Sequence, residues 1–181
     1  MLTLGAATLV LAALVGCTLF APDSHQQGEL IRLSRGYDLT LQGGWTATWD
    51  TEAERAQRGD DSALVVHGLD RERVDIFPAT IEGAREHLLL QKKLIESGEL
   101  DGSISRVMLW GEPADVMVGV VDESTGEHMV VAYLWGSGQP MGLQAFGLAQ
   151  VERMIEDGAS VEEILAAVTN AIGLAPSSTD G

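Results

Sequence analysis

The sequence predicts an α+β domain, a largely antiparallel sheet packed against two main helices. Three observations predict it. Apolar and polar residues alternate with period two over several short runs, the pattern of half-buried strands. Two longer stretches repeat their apolar residues every three or four positions, as amphipathic helices do. Short turns, most of them containing glycine, join many of the period-two runs, which favours antiparallel pairing.

Taken in order, Tyr37, Leu39 and Leu41 alternate with Asp38, Thr40 and Gln42, and Gly43-Gly44 offers the positive φ of a tight hairpin. The returning run puts Trp45, Ala47 and Trp49 on one face and Thr46, Thr48 and Asp50 on the other. A charged loop covers 51–61, and short strands over 63–67 and 73–77 flank Gly68-Leu69-Asp70. Pro78 ends this series. Thr80 is placed to N-cap a helix over 80–97 whose stripe reads Ile81, Ala84, Leu88, Gln91 and Ile95, with Gly98 as its left-handed cap. Strands resume over 107–110, 116–121, 128–135 and 141–146, with turns at Ser124-Thr125-Gly126 and Gly136-Ser137-Gly138. Leu148, Val151 and Ile155 make a short helical stripe that Gly158 breaks. Ser160 and Glu163 then form a capping box ahead of a strong stripe of Val161, Ile164, Leu165, Val168 and Ile172. Faces that alternate in this way need helices over one side only, although 116–121 is apolar enough to be buried on both.

The 181 residues are 45% hydrophobic and 21% charged, which suits one globular domain plus tails. Eleven basic residues against 27 acidic ones leave a charge of −16. That excludes a binder that tracks nucleic-acid phosphates with Lys and Arg, and docking on anionic lipid through a basic face. The charge is uneven: residues 1–106 carry ten basic and sixteen acidic groups, whereas 107–181 carry Arg153 against eleven acidic ones. The closing part should present a negative field, suited to solubility or to a basic partner surface.

The first sixteen residues contain no charge, and 9–15 are apolar throughout. As a helix they reach about 24 Å, short of a bilayer core of about 30 Å, so they fit a secretory signal better than a permanent span. The segment ends Leu14-Val15-Gly16-Cys17, which resembles the bacterial lipobox. The resemblance implies that Cys17, the only cysteine, is lipidated and becomes the first residue of the mature chain. Acyl chains gain about 0.8 kcal/mol per buried methylene, and stable anchoring takes more than one chain. The run lacks the basic residue that usually opens a signal. The competing reading is a buried apolar helix with an incidental cysteine. Thr18, where Asp would favour inner-membrane retention, leans toward the outer membrane where there is one. The expected organisation is a signal peptide over 1–16, the lipidated cysteine and a flexible tether over 17–28, the globular domain over 29–174 and a disordered tail over 175–181.

The element order, together with Gly36-Tyr37-Asp38-Leu39-Thr40-Leu41-Gln42-Gly43-Gly44-Trp45, resembles the PsbP-like families, which include the DcrB-type bacterial lipoproteins. Their domains open on an aromatic-led strand and a Gly-Trp pair. Gly43 stands where those families usually have proline. The resemblance implies an α/β/α sandwich and a non-catalytic domain that binds or steadies protein partners. It carries over no binding residues.

Residues that could carry chemistry are sparse. His67 and His128, with Asp70, are the only set suggesting a two-His, one-carboxylate metal site, and no helical His spacing fixes such ligands. His25 falls in the expected tether, and His87 is expected to face solvent. Gly136-Ser137-Gly138 is neither a nucleophile elbow nor a phosphate cradle. Neither metal nor cofactor is expected. Trp45, Trp49 and Trp135 either fill the core or line a groove for a small apolar ligand. The leading expectation is a lipid-anchored extracytoplasmic accessory or assembly protein without catalysis. It would face the periplasm or cell exterior, held to the membrane by its lipid and bound to a protein partner, for which the negative field favours a basic surface. A carrier with a Trp-lined groove is the alternative, and a weak metal-dependent hydrolase the third.

Overall fold

The computed structural model describes residues 24–49, 63–122, 126–136 and 138–178. The apolar leader, Cys17 and the 51–61 loop lie outside the described residues. The elements in chain order are β1 (Ser24–His25), β2 (Leu30–Arg32), β3 (Tyr37–Thr40), β4 (Thr46–Trp49), β5 (Leu64–His67), β6 (Arg73–Pro78), α1 (Ile81–Ser97) and β7 (Gly102–Leu109). They continue with β8 (Glu112–Asp122), β9 (Glu127–Leu134), β10 (Met141–Phe146), α2 (Ala149–Glu156), α3 (Val161–Ile172) and β11 (Leu174–Pro176). The large sheet has eight strands in the order β1-β4-β5-β6-β10-β9-β8-β7, and a small one runs β11-β3-β2. Among the described residues every pairing is antiparallel. The class is α+β.

Both faces of the large sheet are covered, as in the α/β/α sandwich expected above, and not one face only, as the alternation by itself suggests. Val116, Val130, Ala132, Leu143 and Val74 face a core completed by Leu148 at the start of α2, by Val151 of α2 and by Ile164, Leu165, Val168 and Ile172 of α3. Their alternates Met117, Val131 and Tyr133 face Ala84 and Leu88 of α1. Ser160 accepts the Glu163 N–H (3.3 Å) and Glu163 accepts the Ser160 N–H (2.8 Å), closing the capping box at the start of α3. Each fully buried aliphatic side chain of that helix contributes about 1.5–3 kcal/mol. Thr80 caps α1 by accepting the Gly83 N–H at 3.0 Å, and Gly98 ends the helix at φ +77.

The hairpin expected around Gly43-Gly44 does not form. The turn is there, with Gly44 at φ +89 and Trp45 N–H donating to Gln42 O at 3.2 Å, but it hands the chain from one sheet to the other. Strand β3 already takes β2 on one edge and β11 on the other, so no edge remains for β4. Two segments expected to be loose are part of the fold. Ser24 and His25 pair with Thr48 and Ala47 of β4, and Gly28 N–H donates to Leu41 O (2.9 Å). At the other end Leu174, Ala175 and Pro176 pair with β3, and Ser177 Oγ donates to Asp38 (2.8 Å). In each case the neighbouring strand had unpaired backbone groups to satisfy. Strand β7 starts at Gly102 because β8 offers a partner along its whole length, Gly102 opposite Gly119 through Leu109 opposite Glu112.

Candidate functional site

The three tryptophans do not share a groove. Trp45 and Trp49 pack on the α2/α3 side, whereas Trp135 packs on the α1 side, beyond the end of β9. Trp45 is buried against the β5–β6 turn, where a Cβ on Gly68 would stand 2.9 Å from its Cη2. It also lines a cavity of about 240 Å³ with Glu72, Leu148, Val151 and Ala171. The Trp49 ring meets His25 edge-on, centroids 6.4 Å apart. Trp135 Nε1 donates to Asp115 (2.7 Å), whose carboxylate also accepts two bonds from Arg106, each 2.8 Å. The three tryptophans therefore do not line one groove together, and the cavity beside Trp45 is walled by neither Trp49 nor Trp135.

The histidines are likewise dispersed. His67 sits opposite Arg73, which lies opposite Phe146, which lies opposite Met129, the neighbour of His128. Three strand spacings separate the two imidazoles' strands, about 14 Å. They also project to opposite faces, because Val66 and Val130 share the α2/α3 core while His67 alternates with Val66 and His128 does not alternate with Val130. One metal ion cannot bridge them, so the metal-hydrolase reading fails. Among the described residues no three His, Cys, Asp or Glu side chains form a metal-binding group. Asp70 falls in the β5–β6 turn with φ +58.

His128 instead pins α2 to the sheet. Glu152 accepts from the His128 backbone N–H (2.8 Å) and meets the ring Nδ1 at 2.6 Å. His25 meets Glu29 at 2.6 Å, and that contact, followed by the Gln26 N–H, holds the Glu29 carboxyl below its ordinary value.

His87 does not face solvent. It is half-buried between α1 and β9, with Nδ1 2.6 Å from Tyr133 Oη and Nε2 2.9 Å from Gln91 Nε2. Gln91 donates there, so the neutral ring carries its proton on Nδ1, toward the tyrosine. Burial pushes the His87 pKa down, which favours that neutral form. The His87 and Phe77 rings both meet Tyr133 edge-on, with centroids 5.9 and 6.3 Å away. These residues line a cavity of about 330 Å³, completed by Ala79, Thr80, Gly83 and Gln144. Gly142 makes room for one wall, because a Cβ there would run into the Phe77 ring. The signal in the sequence was slight: His87 lies one helical turn from Gln91, the polar member of the helix's inward stripe.

No protein-family model matches this chain, and no curated protein matches it. Among solved structures, the solution structure of cyanobacterial PsbP (CyanoP) from Synechocystis sp. PCC 6803 is similar. It is 12% identical with a TM-score of 0.48, covering 83% of this chain and 94% of that one.

Proposed function

We propose that this chain is a lipid-anchored extracytoplasmic accessory protein that acts through protein–protein contact and performs no chemistry of its own. One observation carries the reading: the only cysteine, Cys17, closes an uncharged apolar run in the order Leu14-Val15-Gly16-Cys17. The first described residue, Ser24 of β1, stands seven residues later. Seven extended residues reach at most about 25 Å, so the anchor would hold the β1 edge of the domain close to the bilayer. With a net charge of −16 the chain has little attraction for anionic headgroups, so attachment would fall to the acyl chains. The ion pairs within the domain serve packing: His128 and Glu152 hold α2, and Arg106 and Asp115 steady the β7–β8 hairpin.

The test is Cys17→Ser followed by membrane fractionation, acyl labelling and intact-mass measurement. The parent chain should sediment with membranes, take up label and lack its leader, and the variant should be released unlabelled. A parent chain found with leader attached and sulfur unmodified overturns the anchor. Native electrophoresis of gently solubilised membranes tests the accessory half. Co-migration with a larger assembly supports it, and migration as a free monomer in every preparation overturns it.

A further inference from the structure

We infer that the cavity between the start of α1 and strands β6, β9 and β10 is a binding site for a small uncharged aromatic molecule carrying a hydrogen-bond-accepting oxygen. Its volume, about 330 Å³, is at the small end of the ligand-site range of about 300–1,000 Å³. Phe77, Tyr133 and His87 supply ring walls set edge-on to one another, an arrangement that leaves ring faces and edges for a planar guest. The α1 wall is lowered at Gly83, which has no side chain to fill the opening.

The polar groups select the guest. Gln144 donates its amide to the Met129 thioether at 3.1 Å, a weak acceptor that a ligand oxygen would better. Thr80 Oγ1 accepts the Gly83 N–H and keeps its own O–H for another acceptor. Two donors thus stand at one apolar cleft, which suits a carbonyl or a phenolic oxygen. An anion has no cation to meet, since none of the lining residues is Lys or Arg and burial favours neutral His87. The first-turn amides of α1 are partly engaged already, the Ile81 N–H by Gln139 and the Gly83 N–H by Thr80. A cation fares no better. The buried carboxylate opposite Gln144 in the ladder, Asp75, is matched by Arg73 at 2.7 and 3.0 Å.

This inference does not depend on the lipid anchor. Acetophenone, benzoate and benzylamine serve as neutral, anionic and cationic probes, each titrated into the ¹⁵N-labelled full chain. Acetophenone should shift the amides of Phe77, Thr80, Gly83, Tyr133 and Gln144 saturably, leaving Trp45 and Val151 at the other cavity unmoved, and the charged probes should bind much more weakly. Gln144→Leu should raise the acetophenone Kd about three- to tenfold, the worth of one neutral hydrogen bond. Absence of saturable shifts, shifts centred on Trp45 and Val151, or equal binding of benzoate or benzylamine would each overturn the site. An unchanged Kd in a folded Gln144→Leu chain would overturn the role of that amide in selection. Should that variant not fold, the shift map of the parent chain decides alone.

Discussion

Exchanging Gly173 for alanine asks whether α3 and the small sheet are joined backbone to backbone. Gly173 ends α3 at φ +82, and its N–H donates to Thr169 O (3.0 Å) and Asn170 O (3.2 Å). Its carbonyl accepts the Thr40 N–H of β3 at 2.9 Å. A Cβ would drive into the Thr40 carbonyl oxygen and stand 2.6 Å from Gln42 Nε2. Left-handed backbone costs an L-residue about 1–2 kcal/mol and overpacking about 1–3 kcal/mol, while lower unfolded-state entropy returns about 0.4–1 kcal/mol. The net loss is about 3 kcal/mol. Gly98 is the control, because it ends α1 at φ +77 and a methyl there would have nothing within 4 Å of it. Gly98→Ala carries only the backbone cost, about 1 kcal/mol. Urea unfolding of both variants, compared at equal m-value, measures the difference. Equal losses in the two variants would refute the close approach of α3 to β3.

Three further outcomes follow from the same geometry. Ser160→Ala should cost about 1 kcal/mol in urea unfolding by opening the capping box. The Ser160 hydroxyl and N–H hold the Glu163 carboxyl below its ordinary value of 4.5, so the variant should also let that carboxyl rise in an NMR titration. Gly142→Ala should cost about 1–3 kcal/mol, read by the same unfolding assay, because its methyl displaces the Phe77 ring. His87 has a folded pKa below the ordinary 6.5, so the unfolded chain binds the proton more readily. Stability should therefore fall as pH drops below about 6.5 and level off beneath the folded pKa, and His87→Gln should flatten that part of the curve.

The fold was legible wherever a local signal decided the outcome. The capping box at Ser160, the Thr80 cap and the Gly98 terminator each depend on residues within one turn, and each appears in the structure. The period-two runs that became β6, β9 and β10 were legible for the same reason. Sheet membership was not. The Gly43-Gly44 turn has the same local chemistry whether the next strand folds back or crosses to another sheet. What decides is that β11, from the far end of the chain, takes the second edge of β3. Strand pairing across more than a hundred residues leaves no mark on the residues of the turn.

The candidate site was hidden by the same kind of distance. Its walls come from β6, α1, β9 and β10, so no stretch of sequence holds more than a fragment of it. Trp45, Trp49 and Trp135 drew attention because alternation shows which residues share a face of one strand, but it does not show which face of the sheet a second strand presents. Phe77 and Tyr133 come to lie together because β6 and β9 flank β10, where Gly142 is in register with both and leaves the space above it to the Phe77 ring. A glycine in mid-strand was the one local sign of that close packing, since it weakens a strand unless something needs the room. The cavity and the tyrosine–histidine contact therefore belong to the topology, and the test that separates them from ordinary core packing is whether a neutral aromatic probe enters there and nowhere else.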